Sequence, residues 1–367
     1  MVVPRFRPEI QALNPYQVGR PIDEVARDIG LAPESIVKLT ANESPDGPFP
    51  GVVEAVASAV TGVNRYPDND LWELSHALAG EIGVSREAIL FGAGSVGLIA
   101  EIMSAAAGPG TKVVYGWSSF VMYRFTATWA GARYVEVPLD EAHELDLNAL
   151  ASAIDDATRV VIVCNPNNPT GTIKSGDEVE DFIAAVPDDV LVVVDEAYHE
   201  FVRDNRYRSA IPVASERSNV VVLRTFSKIY SLAGLRIGYA VAQPPTLAEI
   251  RKAQAPLTVT TVSQAAARAS LGQPEELERR VMANEAARHH LQGAMTERDI
   301  EFVESHTNFI YFKMPGGDSA GLSDAFTARG VILRPMSDGW LRVTVGSETD
   351  NRHFVAAMDA ILKDSTA

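Results

Sequence analysis

Cysteine is almost missing from this chain: Cys164 stands alone among 367 residues. No internal disulfide can form, which points to a reducing compartment. Long apolar runs are missing too, with no stretch of about 18 or more that would read as a membrane-spanning helix. The amino-terminal "MVVPRFRPEIQALNPYQ" has two arginines and no continuous apolar segment, so it does not read as a secretory signal. Positive charge is scarce. Lysine and arginine total 32 against 48 acids, a formal net charge of −16, which argues against nucleic acid and against an anionic membrane as partners. A few placed arginines and backbone N–H groups could still hold a small anion. Asn42-Glu43-Ser44 fits a glycosylation sequon, but without an export signal it carries little weight. The expectation is a cytoplasmic protein. No internal repeat or low-complexity segment is found.

What is present is apolar material for a large core, 46% of the chain. The length suggests two domains at ~100–200 residues each. Short apolar runs read as strands at 88–93, 112–117, 132–138, 159–165, 190–197, 219–226 and 236–242. Several are rich in Val and Ile without polar alternation, as in strands buried on both faces. Helical spacing lies between them, in "DLWELSHALAGEIG" and "GDEVEDFIAAV". This alternation predicts an α/β fold with a mainly parallel central sheet flanked by helices. Beyond about 255 the texture changes to long helices in "SQAAARASL" and "EELERRVMANEAARHHLQGAM". Strands at 308–314, 330–336 and 340–346 and a closing helix follow, which predicts a smaller α/β carboxyl-terminal domain. The expected division is 1–45 as an irregular segment lying over the site entrance, 46–255 as the large domain, and 256–367 as the small one.

Several motifs then ask for chemistry. "FGAGSVG" (91–97) matches G-x-G-x-x-G between a strand and a helix. A dinucleotide loop also needs an acid near the end of the next strand, and "VVYGWSS" has none. A helix start able to bind phosphate survives, beside a plain glycine turn. "VCNPNNPTG" (163–171) is by itself a turn, yet it follows a buried strand, where open α/β sheets bind ligands. "VVVDEAYHEF" (192–201) drives Asp195 into the end of the most apolar strand. A buried carboxylate needs a cation or several donors, and a structural salt bridge would serve. His199, Glu200 and the His289-His290 pair lack a third convergent ligand, so no metal is expected. "FSKIYSLAGLRIGYA" (226–240) sets Lys228 against an apolar run.

Lys228, Asp195 and Asn168 at strand ends, with an anion-binding helix start, suit pyridoxal 5′-phosphate: a reactive amine, an acid for the ring nitrogen and a phosphate cradle. The motifs resemble the fold-type I pyridoxal-phosphate aminotransferases, in the branch of histidinol-phosphate and aromatic amino acid aminotransferases. The resemblance runs through "NPYQ", "LTANESP", "NRYPD", "NPNNPTG", "DEAY", "RTFSK", "LAGLRIGYA" and "LRVTVG". It implies an aspartate-aminotransferase-like fold.

The resemblance also implies roles. Lys228 would join the cofactor covalently and move the substrate proton. Asp195 would pair with the ring nitrogen, with Tyr198 and Asn168 at the phenolic oxygen. Ala93, Gly94, Ser95, Thr225, Ser227 and Arg236 would hold the phosphate, and Phe120 would stack on the ring. Tyr66 would reach the phosphate of the other subunit, making a homodimer with a shared site. Tyr16, Asn42, Arg334 and Arg342 would meet the substrate, Arg342 gripping its carboxylate. The implied activity is transamination between small-molecule amino and 2-oxo acids. Histidinol phosphate with 2-oxoglutarate comes first, and phenylalanine is the alternative. Many relatives place a proline where this chain reads Trp117-Ser118-Ser119, and the tryptophan suits an aromatic substrate. A lyase or decarboxylase, or a non-catalytic ligand-binding regulator, would use the same fold.

Overall fold

The computed structural model describes residues 4–16, 19–316 and 318–366; Gln17 of the "NPYQ" stretch lies outside them. Thirteen strands are found among the described residues, and they make three sheets. The strands are β1 (Val37–Lys38), β2 (Ile89–Gly92), β3 (Lys112–Trp117), β4 (Arg133–Pro138), β5 (Thr158–Cys164), β6 (Leu191–Asp195) and β7 (Val220–Thr225). They continue with β8 (Gly238–Val241), β9 (Glu301–Phe302), β10 (Phe309–Lys313), β11 (Val331–Ile332), β12 (Arg334–Pro335) and β13 (Trp340–Thr344).

The largest sheet runs β2-β8-β7-β6-β5-β3-β4. The pairs from β7 through β6, β5 and β3 to β4 are parallel, and β8 runs antiparallel to both its neighbours. The continuous Val/Ile runs have the reason expected of them. Val192, Val194, Val220 and Val222 enter one core, while Val193, Val221 and Leu223 enter another on the opposite face. Helices Gly94–Ala106, Met122–Ala130 and Pro244–Arg251 cover the second face, and Gly176–Ala185 and Trp72–Ile82 are among those covering the first. Helix Gly176–Ala185 starts at a capping box: Ser175 Oγ accepts from the Glu178 N–H, and the Glu178 carboxylate reaches back to the Ser175 N–H. Helix Thr261–Ser270 packs its Ala266 and Ala267 into the same core as Leu74 and Leu78.

The second sheet is antiparallel, in the order β12-β13-β10-β9. Its core holds Phe312, Phe326 and Phe354, with the rings of Phe326 and Phe354 stacked 5.5 Å apart. The 330–336 segment, expected as one strand, divides in two. β11 pairs in parallel with β1, while β12 moves to β13 and sets Arg334 opposite Arg342. Pro335 has no N–H for a long ladder, which fits a two-residue edge strand.

The amino-terminal segment is less irregular than the sequence suggested. An amphipathic helix, Ile22–Ile29, buries Val25 and Ala26 against Ile36 and Ile332 and stops at Gly30, whose φ is 70°. The two larger sheets meet where Gly171 passes Ser305. A Cβ on Gly171 would lie 2.3 Å from Ser305 Oγ, and the His306 N–H donates to the Gly171 carbonyl at 2.8 Å. No helix of the described residues is long and apolar enough to cross a membrane.

Phe326 is fully buried. Phe326→Ala should cost about 3–5 kcal/mol of stability, read from urea unfolding. A loss below about 1 kcal/mol would mean that this core closes over the gap.

Candidate active site

Asp195 ends β6, and its side chain faces the core that contains Val193. It is 3% exposed. Its partners are a hydroxyl and an amide rather than a cation: Tyr123 Oη donates to Oδ2 at 2.7 Å, and the Ala197 N–H donates to Oδ1 at 3.2 Å. Burial raises its pKa above the usual carboxylate range, and the Tyr123 hydrogen bond is the strongest opposing influence. A plain structural salt bridge is therefore not the geometry found. Tyr123 was missed from the sequence. It lies three residues after Phe120 at the start of a helix, and nothing local marks a buried tyrosine as the donor to a distant acid.

Lys228 follows β7. Its Nζ donates to the Ala41 carbonyl at 3.1 Å and sits 5.5 Å from the centre of the Tyr198 ring. Burial, followed by the positive charge of Arg342, lowers its pKa from 10.5 to about 8. A sizeable neutral fraction is thus present at mildly alkaline pH, as a nucleophile or proton acceptor requires.

Tyr198 lies between two amides. Asn42 Nδ2 donates to its hydroxyl at 2.9 Å, and Asn168 Nδ2 approaches at 3.5 Å. Asn168 Oδ1 accepts from Arg342 Nη1 at 2.5 Å, and Arg342 Nη2 donates to the Thr40 carbonyl at 2.6 Å. Arg342 Nε is buried without a hydrogen-bond partner among the described residues. Burial lowers the Arg342 pKa to about 10, with Tyr198 opposing and Arg334 adding to the effect, so it remains charged at neutral pH. Arg334 lies over the Tyr16 ring at 5.3 Å, and Tyr16 meets Phe125 edge-on at 6.3 Å.

The glycine loop has the form of an anion cradle. Ala93 is the N-cap of helix Gly94–Ala106 and has no side-chain acceptor with which to occupy the first turn's N–H groups. Gly94 has φ 72°, and a Cβ there would fall 2.6 Å from Arg236 Nη2. A Cβ on Gly238 would fall 2.9 Å from the Ser95 nitrogen, so β8 is pressed against the loop. Arg236 Nη1 lies 3.4 Å from Ser227 Oγ, and the Ser227 N–H donates to Thr225 Oγ1 at 3.1 Å. Ala93, Gly94, Ser95, Thr225, Ser227 and Arg236 thus form one neighbourhood.

Phe120 packs edge-on against Tyr123, with ring centres 5.6 Å apart. Trp117 is not a free aromatic wall: the Arg124 guanidinium lies 4.7 Å over its ring while also holding Glu136. Tyr66 stands apart, 86% exposed on this chain.

The family model of "Aminotransferase class I and II" matches residues 34–358. An aromatic amino acid aminotransferase of Streptomyces coelicolor is 40% identical over 98% of both chains. A protein named histidinol-phosphate aminotransferase 1, from Cupriavidus pinatubonensis, is 40% identical over 98% of this chain and 97% of its own. Among solved structures, histidinol-phosphate aminotransferase from Sinorhizobium meliloti in complex with pyridoxal-5′-phosphate superposes with a TM-score of 0.89. It is 27% identical and covers 99% of each chain.

The depressed pKa of Lys228 has a consequence for stability. Between about 8 and 10.5 the unfolded lysine holds a proton that the folded one has lost, so its contribution to stability rises with pH across that window. Below about 8 the folded state must carry the buried charge. Cofactor-free Lys228→Met protein should therefore melt higher than wild type near neutral pH, and the gap should narrow as pH climbs towards 10.5. A gap that stays constant with pH would contradict this.

Proposed function

We propose that this chain, which belongs to the aminotransferase class I and II family, carries the amino group of histidinol phosphate to 2-oxoglutarate. It is a pyridoxal-phosphate-dependent transaminase. The residues present fit that cofactor. A side chain at Gly94 would crowd the Arg236 guanidinium, and the φ of 72° there disfavours one in any case, which suits a close phosphate cradle. Asp195 is a buried carboxylate whose partners are two neutral donors, which leaves it able to meet a ring N–H⁺.

When bound, the cofactor supplies an electron sink for charge developing at the substrate α-carbon. The remaining roles belong to this chain's side chains. Lys228 would hold the cofactor, and its amine, whose pKa is lowered to about 8 in the cofactor-free chain, would be the group that takes and returns the α-proton. Asp195 keeps a proton on the ring nitrogen. The Tyr198 hydroxyl and the Asn168 amide, 3.5 Å apart, serve the phenolic oxygen. Ala93, Gly94, Ser95, Thr225, Ser227 and Arg236 bind the phosphate, and Phe120 covers the ring. Arg342 takes the carboxylate of glutamate by a two-pronged contact, and Asn42, which donates to the Tyr198 hydroxyl, meets the substrate beside it.

One observation carries the choice of substrate: β12 sets Arg334 directly opposite Arg342 in β13, with Tyr16 under the Arg334 guanidinium. Histidinol phosphate has no carboxylate, so its dianionic phosphate needs such a pair. A second reading, phenylalanine as donor, is favoured by the relatives named for aromatic amino acids and by the Tyr16–Phe125 contact. The same reading includes a cytoplasmic homodimer, in which the exposed Tyr66 serves the partner's phosphate. It also divides the chain at 45/46 and 255/256 into an entrance segment, a large cofactor-binding unit and a smaller unit.

Steady-state rates with histidinol phosphate and phenylalanine against 2-oxoglutarate, on one preparation, test the substrate. Arg342→Ala should damage both half-reactions. Arg334→Ala should lower kcat/KM for histidinol phosphate by roughly ten- to hundredfold and spare phenylalanine. Wild type preferring phenylalanine by a wide margin would install the second reading. For the dimer, mixing Lys228→Ala and Tyr66→Asp subunits should restore activity through one intact shared site. No recovery after verified subunit exchange would count against it.

A further inference from the structure

Asp195 is followed in the chain by a second buried acid. Glu196 is 1% exposed, and it closes an ion pair with Arg224, the residue before Thr225. Glu196 Oε2 accepts from Arg224 Nε at 3.0 Å and Nη2 at 2.9 Å, and from Ser209 Oγ at 2.8 Å; Oε1 accepts from the Ala210 N–H at 2.7 Å. Arg224 lies opposite Tyr239 in the sheet register, among the core of Val222 and Phe226, whereas Asp195 meets Tyr123 on the other face. The pair therefore spans the ends of β6 and β7, directly behind the residues read as holding the ring nitrogen and the phosphate.

We propose that the Glu196–Arg224 pair is a positioning element for Asp195, in which Arg224 cancels the negative charge that Glu196 would otherwise impose on its neighbour. Two carboxylates on consecutive residues, both inside the protein, repel each other, and a low-dielectric surround makes that repulsion costly. Asp195 must be ionised to hold a ring N–H⁺. Glu196 stands after burial among the influences that raise Asp195, while Tyr123, Ala197 and Lys228 oppose them. Arg224 supplies the one fixed cation in bonding contact with Glu196 among the described residues.

The other groups near the pair do not take over this role. Burial, with Arg224 adding to it, lowers His199 to about 4, so it is neutral over most of the acid range. Burial raises Glu200 to about 7, so it too is largely neutral there. Tyr207 and Tyr239 are pushed up and stay protonated. On the Asp195 side, burial raises the Cys164 thiol to about 12.

The inference rests on Asp195 as the ring-nitrogen partner, so Asp195→Asn is the control. The holoenzymes of Arg224→Gln, Glu196→Gln and the double variant are titrated across the acid range. Absorbance of the bound cofactor and the fraction retained after gel filtration are followed together. In Arg224→Gln the bare Glu196 charge should move the acid limb to higher pH. In Glu196→Gln the limb should move to lower pH, each shift on the order of one pH unit. The double variant should return close to wild type. Movement in one direction for both single variants, or no movement beside a lower melting temperature, would overturn the proposal and leave the pair purely structural. If a single variant fails to fold, Ser209→Ala, which removes one donor from Glu196, should still raise the limb slightly, and an unmoved limb then counts against the proposal. If Asp195→Asn itself leaves cofactor binding and absorbance unchanged, the underlying reading of Asp195 fails instead.

Discussion

A carboxyl group is held inside an apolar sheet, and much of the surrounding structure answers the cost of burying it. Asp195 ends a strand whose preceding residues are buried on both faces, so neither face offers it water. Removing an ionised acid from solvent without partners is prohibitive. The partners found here are neutral donors, Tyr123 and the Ala197 amide, which stabilise the charge without consuming it in an internal ion pair. A lysine salt bridge would have been the simpler solution for folding.

The amino-terminal segment is the second constraint. Three consecutive residues tie the site together: Thr40 through its carbonyl to Arg342, Ala41 through its carbonyl to Lys228, and Asn42 through its side chain to Tyr198. Asn42 also donates its N–H to Thr344 Oγ1, and its φ of 54° turns the chain there. The segment runs beside the smaller sheet, with β1 on β11 and the Thr344 N–H donating to the Leu39 carbonyl. Lys228 and Arg342 therefore both donate to one short stretch of backbone.

Around Arg334 and Tyr16, chemistry and packing pull in different directions. Arg334 and Arg342 in register would gather negative charge, and the Tyr16–Phe125 edge contact offers an apolar side to whatever enters. Trp117, which the sequence offered as an aromatic wall, is covered by Arg124. One face of its ring is thus engaged by that guanidinium.

Local chemistry made much of this legible before any folding. Val/Ile runs without polar alternation, a glycine-rich strand-to-helix turn and an acid at a strand end specify a parallel sheet with a site at its carboxyl edge, because strand period and helix capping are properties of neighbouring residues. The α/β class and the convergence of Asp195, Lys228 and Asn168 at strand ends follow from them, whereas Arg342 is named only through the family resemblance. Tertiary structure decided the rest. Tyr123 as the donor to Asp195, the break at Leu333 that turns Arg334 towards Arg342, the Glu196–Arg224 pair, and Arg124 over Trp117 all join elements by contacts that no local pattern encodes. Each depends on which faces meet once the helices have packed, and a hydroxyl or guanidinium acquires its partner only at that point.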